Sequence, residues 1–243
     1  MMKKILKSFK VLTHAALSIA YFYRLRAVKN PRFIVRWRDR SLHFLDATVT
    51  TGFDRHYLLH VAWASRVLAS ISPDRHVDIA SSLSFATTIS AFIPVQFIDI
   101  RPPRIQLNNL TCLCGSLMNL PFPSSSVNSL SCMHVIEHIG LGRYGDPYDP
   151  EGDLKAVSEI KRVLANHGHL LFVVPIGGEA VIQFNAHRIY TYRQICELFN
   201  DYKLMDFSLI PDDPSDGDLV MAPDEPLLKK QLYGCGCFHF IKG

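Results

Sequence analysis

Two titratable side chains, Glu137 and His138, directly follow an apolar run, and a polar loop comes after them. Histidine titrates near neutral pH, so His138 is the first candidate for a general base, with Glu137 as a catalytic partner. In the loop, residues 140–147, Asp146 is a further catalytic candidate. The alternative is structural: His138 closes the strand and Glu137 binds backbone. The first interpretation predicts that His138 removes a proton from a bound substrate.

A second polar segment, residues 184–190, interleaves polar and aromatic side chains, as is typical of an acceptor pocket or lid. His187 in it is a candidate catalytic residue, although an ordinary helix start explains the segment equally well. The candidate substrate-binding residues of both segments are Arg143, Tyr144, Asn185 and Arg188. Arg143 could bind an acidic or phosphorylated acceptor. Both segments leave the carboxyl ends of adjacent predicted strands, so we expect one shared pocket. Its members would be Glu137, His138, Arg143, Asp146 and His187.

Alternating strand and helix patterns must position these residues. The apolar runs predict strands at residues 76–80, 94–99, 110–114, 130–135, 169–174, 202–209 and 235–241. Helical periodicity and capping residues predict helices at residues 55–70, 85–92, 150–167 and 191–200. This order predicts an α/β fold: a doubly wound, mostly parallel, Rossmann-like sheet of about seven strands with helices on both faces. A barrel would need eight units.

Charge is distributed unevenly along the 243 residues. Residues 1–40 carry eleven of the 26 lysines and arginines but one acid, so the remaining chain is mildly acidic. We therefore predict a basic N-terminal arm, residues 1–45, and an α/β domain, residues 46–243, that does not bind nucleic acid. The apolar stretch 11–23 is shorter than the about 20 residues that span a bilayer.

The arm has four interpretations. It could be a helix on an anionic membrane surface, a helix packed on the domain, a cleaved signal, or a spanning anchor if residues 5–23 insert with their lysines reaching the interface. We expect a cytoplasmic protein, with peripheral membrane contact through residues 1–40 as the functional alternative. The six cysteines lie in or beside apolar runs, which predicts reduced core thiols, and Cys-x-Cys is not the usual zinc spacing, so we expect no metal.

The first two predicted strands have the geometry of a nucleotide site. Asp99 ends the second strand 21 residues after Asp78, the spacing at which an acid reaches ribose hydroxyls. The turn at residues 80–84 lacks the glycines that receive a pyrophosphate, which favours a ligand without phosphates and disfavours a nicotinamide-dependent oxidoreductase. Asp99 could also be a plain turn acid.

These motifs, in order and spacing, resemble the class I S-adenosylmethionine-dependent methyltransferases. The resemblance rests on residues 78–82, Asp99, residues 119–123 and residues 135–138. Residues 51–64 and the loop at 140–147 are similar to a methyltransferase-like family of unknown function. The cofactor-binding residues that the resemblance implies are Asp78, Ala80, Ser81, Ser82, Asp99, Ser116 and Leu117. Of these, Asp99 would bind the ribose, Ser116 and Leu117 would flank the adenine, and the others would line the methionine part.

Several positions depart from that pattern. Ala80, Ser82 and Ser84 stand where the class prefers glycine, Ser116 replaces an acid near the adenine, and Asn128 replaces an aspartate before the fourth strand. The resemblance implies S-adenosylmethionine-dependent methyl transfer to a small-molecule or glycan-type acceptor. The departures keep an alternative open, a catalytically inactive methyltransferase-like binding or scaffold module.

Overall fold

The computed structural model describes residues 2–29 and 32–243. The chain divides into two compact units, Met1–Phe53 and Asp54–Gly243. The positions 1, 30 and 31 of the predicted arm, and the side chains of its lysines before residue 11, lie outside what is described.

In the first unit, helix α1 (Met2–Arg26) packs one face on the segment that follows it. The side chains of His14 and Phe22 are partly buried, two turns apart along the helix. Phe22 meets Trp37 edge-on at 5.1 Å between ring centroids, and His14 lies 6.4 Å from Phe44. Aromatic packing therefore holds this unit together.

Other apolar side chains of α1 face solvent. Leu12, Leu17 and Tyr21 are 68%, 66% and 59% exposed. Among the described residues, no helix combines the length and the apolar character needed to cross a membrane.

The second unit contains one large sheet. Its strands are β1 (His76–Ile79), β2 (Val95–Asp99), β3 (Leu110–Cys114), β4 (Val127–Met133), β5 (Leu164–Ile176), β8 (Tyr202–Ile210), β9 (Val220–Met221) and β10 (Gly234–Lys242). The spatial order is β3-β2-β1-β4-β5-β10-β8-β9. The first five strands in this order are parallel to one another, whereas β10, β8 and β9 each pair with their neighbours in antiparallel fashion. A separate hairpin joins β6 (Val181–Gln183) to β7 (His187–Ile189). The predicted doubly wound, mostly parallel sheet is confirmed, with eight strands where we expected about seven.

Helices cover both faces of the sheet. They are α2 (Arg55–Ile71), α3 (Leu83–Ile89), α4 (Gly152–Val163), α5 (Tyr192–Leu198) and α6 (Glu225–Lys230). Alternate residues of β5 enter two different cores: Phe172 packs in the cluster with α4 and α5, whereas Leu171 and Val173 pack in the cluster with α2 and α3. This alternation confirms the predicted layers.

Caps explain where several helices begin. Asp54 accepts a hydrogen bond from the backbone N–H of Tyr57 at the start of α2. Thr191 and Gln194 form a reciprocal capping box at the start of α5.

The predicted boundaries around α4 are wrong. Asp149 and Pro150 precede the helix, and Asp149 instead accepts from the backbone of Glu151 at 3.0 Å. The chain turns extended at Leu164, before the predicted stop at Gly168, because Leu164 already pairs with Val127 of β4. Leu154 is 46% exposed, because the buried face of α4 consists of Gly152, Asp153, Ala156, Val157, Ile160 and Val163.

Strand β4 also ends earlier than predicted. It stops at Met133 because His134 adopts a left-handed conformation, with φ of 57°. A single turn of 3₁₀ helix, Ile136–His138, follows at once. This break brings the titratable residues of the segment out of the sheet and over its carboxyl edge.

Candidate functional site

A cavity of about 200 Å³ lies at the carboxyl ends of β1, β2 and β4. Of the predicted residues, its wall includes Ala80, Ser81, Asp99, Leu117, His138 and Tyr144. Residues from the predicted cofactor set and the predicted acceptor set therefore share one cavity. Strand ends of a parallel sheet are the usual position of a ligand site in such folds.

The turn after β1 keeps the shape of a glycine turn without a glycine. Ala80 has φ of 47°, a left-handed conformation that costs an L-residue roughly 1–3 kcal/mol. Ser81 accepts a hydrogen bond from the backbone N–H of Met133 at 3.1 Å, and Ser82 caps α3 by accepting from Phe85. The cavity beside Ala80 is lined by neither Leu83 nor Phe85, and Phe85 is fully buried in the core.

Asp99 presents its carboxylate where β2 ends. One oxygen accepts a hydrogen bond from the backbone N–H of Arg101 at 2.7 Å, which fixes the orientation of the group. The neighbouring Gly115 also lines the cavity, and a Cβ there would lie 2.7 Å from Cγ2 of Ile98. Sequence reasoning missed Gly115, although a glycine directly after a predicted strand is a signal of close approach.

Other members of the predicted cofactor set lie elsewhere. The hydroxyl of Ser116 accepts from the backbone N–H of Met118 at 3.2 Å. Asp78 is fully buried and accepts a hydrogen bond from Ser131, whose oxygen is 2.9 Å from Nε2 of His76. Burial raises the pKa of Asp78 to about 6, against hydrogen bonds from Ser131 and Ser81 that lower it. Asp78 thus belongs to a buried polar network.

His138 is held in a single orientation. Its Nδ1 lies 2.7 Å from the carbonyl oxygen of Ala186, so Nδ1 carries the proton and Nε2 keeps a lone pair. Burial lowers the pKa of His138, partly offset by Glu137, and the ring is therefore neutral at pH 7. A neutral imidazole with a free Nε2 can accept a proton.

The two predicted acceptor segments meet. Arg143 donates to the same Ala186 oxygen at 3.0 Å, and the rings of His138 and His187 are 6.2 Å apart. Glu137 is 1% exposed, and its Oε1 is 3.9 Å from Nε2 of His138. Four of the five predicted members, Glu137, His138, Arg143 and His187, therefore lie close together. Of the five only His138 lines the cavity, and Asp146 binds the backbone of its own loop instead.

The remaining predicted residues have structural contacts. The carboxylate of Asp146 accepts backbone N–H groups of Gly140, Gly142 and Tyr144 at 2.8, 3.4 and 3.2 Å, which shapes the loop. Arg188 is 6% exposed and donates to the carbonyl oxygen of Ile139 at 2.6 Å. Asn185 is exposed.

A buried network beside the cavity was not predicted. His134, which lines the cavity, places Nδ1 3.0 Å from Oε1 of Glu137 and Nε2 3.3 Å from the sulfur of Cys235. Burial lowers the pKa of His134, but Cys235 and Glu137 more than offset this and raise it to about 10. Tyr57 also lines the cavity and stacks on His134 at 5.5 Å.

Part of the chain matches a known protein family. Residues 123–216 match the family described as "Caenorhabditis protein of unknown function, DUF268". This agrees with the predicted likeness to a family of unknown function. The chain is also 29% identical over 92 residues to the uncharacterized protein MJ0638 of Methanocaldococcus jannaschii, covering 38% of this chain and 30% of that protein. The match thus spans less than a third of the relative's length.

Solved structures are similar over most of the chain. The N-methyltransferase NodS of Bradyrhizobium japonicum, in complex with S-adenosylhomocysteine, matches 92% of this chain and 97% of its own, with a TM-score of 0.52 and 13% identity. The 1,6-didemethyltoxoflavin-N1-methyltransferase of Burkholderia thailandensis, also with bound S-adenosylhomocysteine, matches 75% of this chain and 78% of its own, with a TM-score of 0.53 and 12% identity. Identities this low establish the fold alone. The chain has the fold of the class I S-adenosylmethionine-dependent methyltransferases.

Proposed function

We propose that the chain is a methyltransferase that uses S-adenosylmethionine and methylates a small-molecule or glycan-type acceptor. One observation carries the proposal: Asp99 and His138 line the same cavity. The first is the residue that sequence spacing assigns to ribose hydroxyls, and the second is a neutral base. A transferase needs both groups within reach of one bound pair of reactants.

The wall fits the cofactor chemically. The carboxylate of Asp99 can accept hydrogen bonds from two hydroxyls, Leu117 offers an apolar surface to a base, and Ala80 and Ser81 are small. The volume of about 200 Å³ is below the range of about 300–1,000 Å³ usual for drug-sized ligands, so part of the cofactor would extend outside the enclosed space. When bound, S-adenosylmethionine supplies an electrophilic methyl group.

The chain's own residues would handle the acceptor. His138, neutral and with Nε2 unprotonated, would remove the proton of an acceptor hydroxyl as the methyl group is transferred. The guanidinium groups of Arg101 and Arg143 stack on the ring of Tyr144 at 5.0 and 5.2 Å. Two cations around one exposed aromatic ring favour an acceptor that carries a carboxylate or phosphoryl group.

The test is calorimetric titration of the full chain with S-adenosylmethionine and S-adenosylhomocysteine. Asp99→Ala removes a charged acceptor worth about 1.5–3 kcal/mol per hydrogen bond, so two lost bonds weaken binding by about 100-fold or more. Asp74→Ala is the matched control, because Asp74 is an exposed acid just before β1 and outside the cavity. Absence of binding by the folded full chain, or equal binding by both variants, would overturn the proposal.

The second candidate is a binding or scaffold module without catalysis. Two features favour this candidate. The cavity is small, and the hydroxyl of Ser116 accepts a hydrogen bond from the nearby backbone N–H of Met118. Cofactor binding that depends on Asp99, combined with no transfer of labelled methyl to metabolite, glycan or lipid fractions, would support this candidate over the enzyme.

A further inference from the structure

Three side chains from distant parts of the sequence meet beside the cavity. His56 comes from α2, His134 follows β4, and Cys235 opens β10, and their ligating atoms all lie within 4.8 Å of one another. His134 and Cys235 are buried and His56 is partly exposed. We propose that this cluster binds one Zn²⁺ ion. The proposal goes beyond methyl transfer and does not depend on it.

The distances suit a metal of this size. Zinc binds imidazole nitrogen at about 2.0 Å and thiolate sulfur at about 2.3 Å, which in tetrahedral geometry places the two ligand atoms roughly 3.5 Å apart. Nε2 of His134 and the sulfur of Cys235 are 3.3 Å apart. These two atoms therefore already have the separation that one shared ion requires.

His56 completes the set after a small rotation. Its ring is nearly parallel to that of His134, at 7° and 5.9 Å between centroids, so both rings do not yet point at one position. Rotation about the Cβ–Cγ bond and an approach of roughly 1 Å would direct a nitrogen at the ion. Partial exposure of His56 leaves room for this movement and gives the ion a route in from solvent.

Glu137 supplies the carboxylate that commonly accepts a hydrogen bond from the second ring nitrogen of a metal-bound histidine. Its Oε1 lies 3.0 Å from Nδ1 of His134, the nitrogen that does not face Cys235. A carboxylate in that position fixes the tautomer of a ligating histidine and increases its basicity. Oε2 of Glu137 is buried and has no hydrogen-bond partner among the described residues. This buried carboxylate points to a compensating charge beside it.

The donor set is chemically complete for the ion. Cys235 binds zinc as a thiolate, so its thiol proton leaves to solvent as the Zn–S bond forms, and His56 and His134 each form one Zn–N bond through an unprotonated nitrogen. Mixed imidazole and thiolate donors suit zinc rather than calcium or magnesium.

Three protein ligands leave a fourth position for water or a substrate group, which is the pattern of reactive rather than purely structural zinc sites. His134 lines the cavity that contains Asp99 and His138. The ion would therefore lie beside the wall of that cavity.

The experiment uses the full chain, stripped of metal and titrated with Zn²⁺ against a chromophoric chelator. We expect one ion per chain, and with Co²⁺ a sulfur-to-cobalt charge-transfer band. Cys235→Ser should abolish both. His56→Gln, at a partly exposed position that tolerates change, should weaken Zn²⁺ binding and keep the band. Glu137→Gln should weaken binding about 10–100-fold.

Cys237→Ser is the matched control, because Cys237 is equally buried on the same strand with its sulfur 4.0 Å from that of Cys235. It should bind Zn²⁺ like the unchanged chain. The assignment would be overturned if the folded full chain failed to bind one ion. It would also be overturned if Cys235→Ser and His56→Gln, with unchanged circular dichroism, bound Zn²⁺ as tightly as the unchanged chain. Equal losses in Cys235→Ser and Cys237→Ser would overturn it as well.

Discussion

Asp78→Asn tests whether the acid of β1 is a buried structural group rather than a cofactor ligand. The carboxyl is fully buried, and one of its oxygens accepts a hydrogen bond from Ser131. Burial raises its pKa from 3.8 to about 6. The folded chain therefore prefers the protonated acid, and ionisation opposes folding.

The sign and size follow from proton linkage. Below about pH 4 the acid is protonated in both the folded and the unfolded chain, and its stabilising contribution is fully present. That contribution is lost as the pH rises through about 6, because the unfolded chain ionises more easily. A pKa difference of about 2 at 1.36 kcal/mol per pH unit makes the loss about 3 kcal/mol. Asparagine does not titrate and can still accept from Ser131.

The assay is urea unfolding at pH 4.5 and pH 8, followed by circular dichroism. By pH 4.5 about a third of the loss has already occurred, so we expect the free energy of unfolding of Asp78→Asn, relative to that of the unchanged chain, to rise by about 2 kcal/mol between the two pH values. Ser131→Ala is a useful comparison, because it leaves the carboxyl without its donor and should destabilise most at pH 8. A stability difference that does not change with pH would refute the reasoning about this network. Loss of S-adenosylhomocysteine binding in Asp78→Asn would refute its separation from the cofactor.

Two further outcomes are expected. His138→Gln should lower kcat about 100–10,000-fold and leave the affinity for the cofactor nearly unchanged. It should also remove the loss of rate at acid pH, which in the unchanged chain falls below pH 6.5 because burial lowers the pKa of His138. An unchanged kcat would exclude His138 as the base. Arg24 and Arg26 lie in the last turn of α1. Replacing both by Gln should weaken the affinity of the full chain for anionic vesicles, measured by co-sedimentation, roughly 30-fold, at about 1 kcal/mol per charge. The control double variant, Lys203→Gln with Lys229→Gln, should bind the vesicles like the unchanged chain. Equal binding to neutral vesicles would contradict the predicted interpretation of the arm as a membrane-surface helix.

The sequence predicted the layers of the fold well because apolar runs and caps are local signals. Asp54 and Thr191 each cap a helix, and the run before Glu137 is a buried strand. Boundaries were less accurate where pairing overrides local pattern. Leu164 looked helical but is extended, because its partner Val127 lies some forty residues earlier in the chain.

The site was predicted only where spacing carries information. Asp99 and His138 follow strand ends, so their meeting in one cavity could be expected from topology. The contact of His134 with Cys235 joins residues 101 apart in the sequence. This contact arises because β10 inserts in antiparallel orientation beside β5. No local sequence pattern around His134 or Cys235 predicts it.

That insertion also sets the order in which the molecule can be completed. β10 lies between β5 and β8, and β8 and β9 reach the rest of the sheet only through it. During synthesis, which proceeds at about 5–20 residues per second, the edge of β5 stays open until residues 234–242 leave the ribosome. Cys235 arrives with that same strand. Closure of the sheet and assembly of the buried His–Cys cluster are therefore one late event, and a nascent chain that stops short of it presents an open edge to chaperones or to other chains.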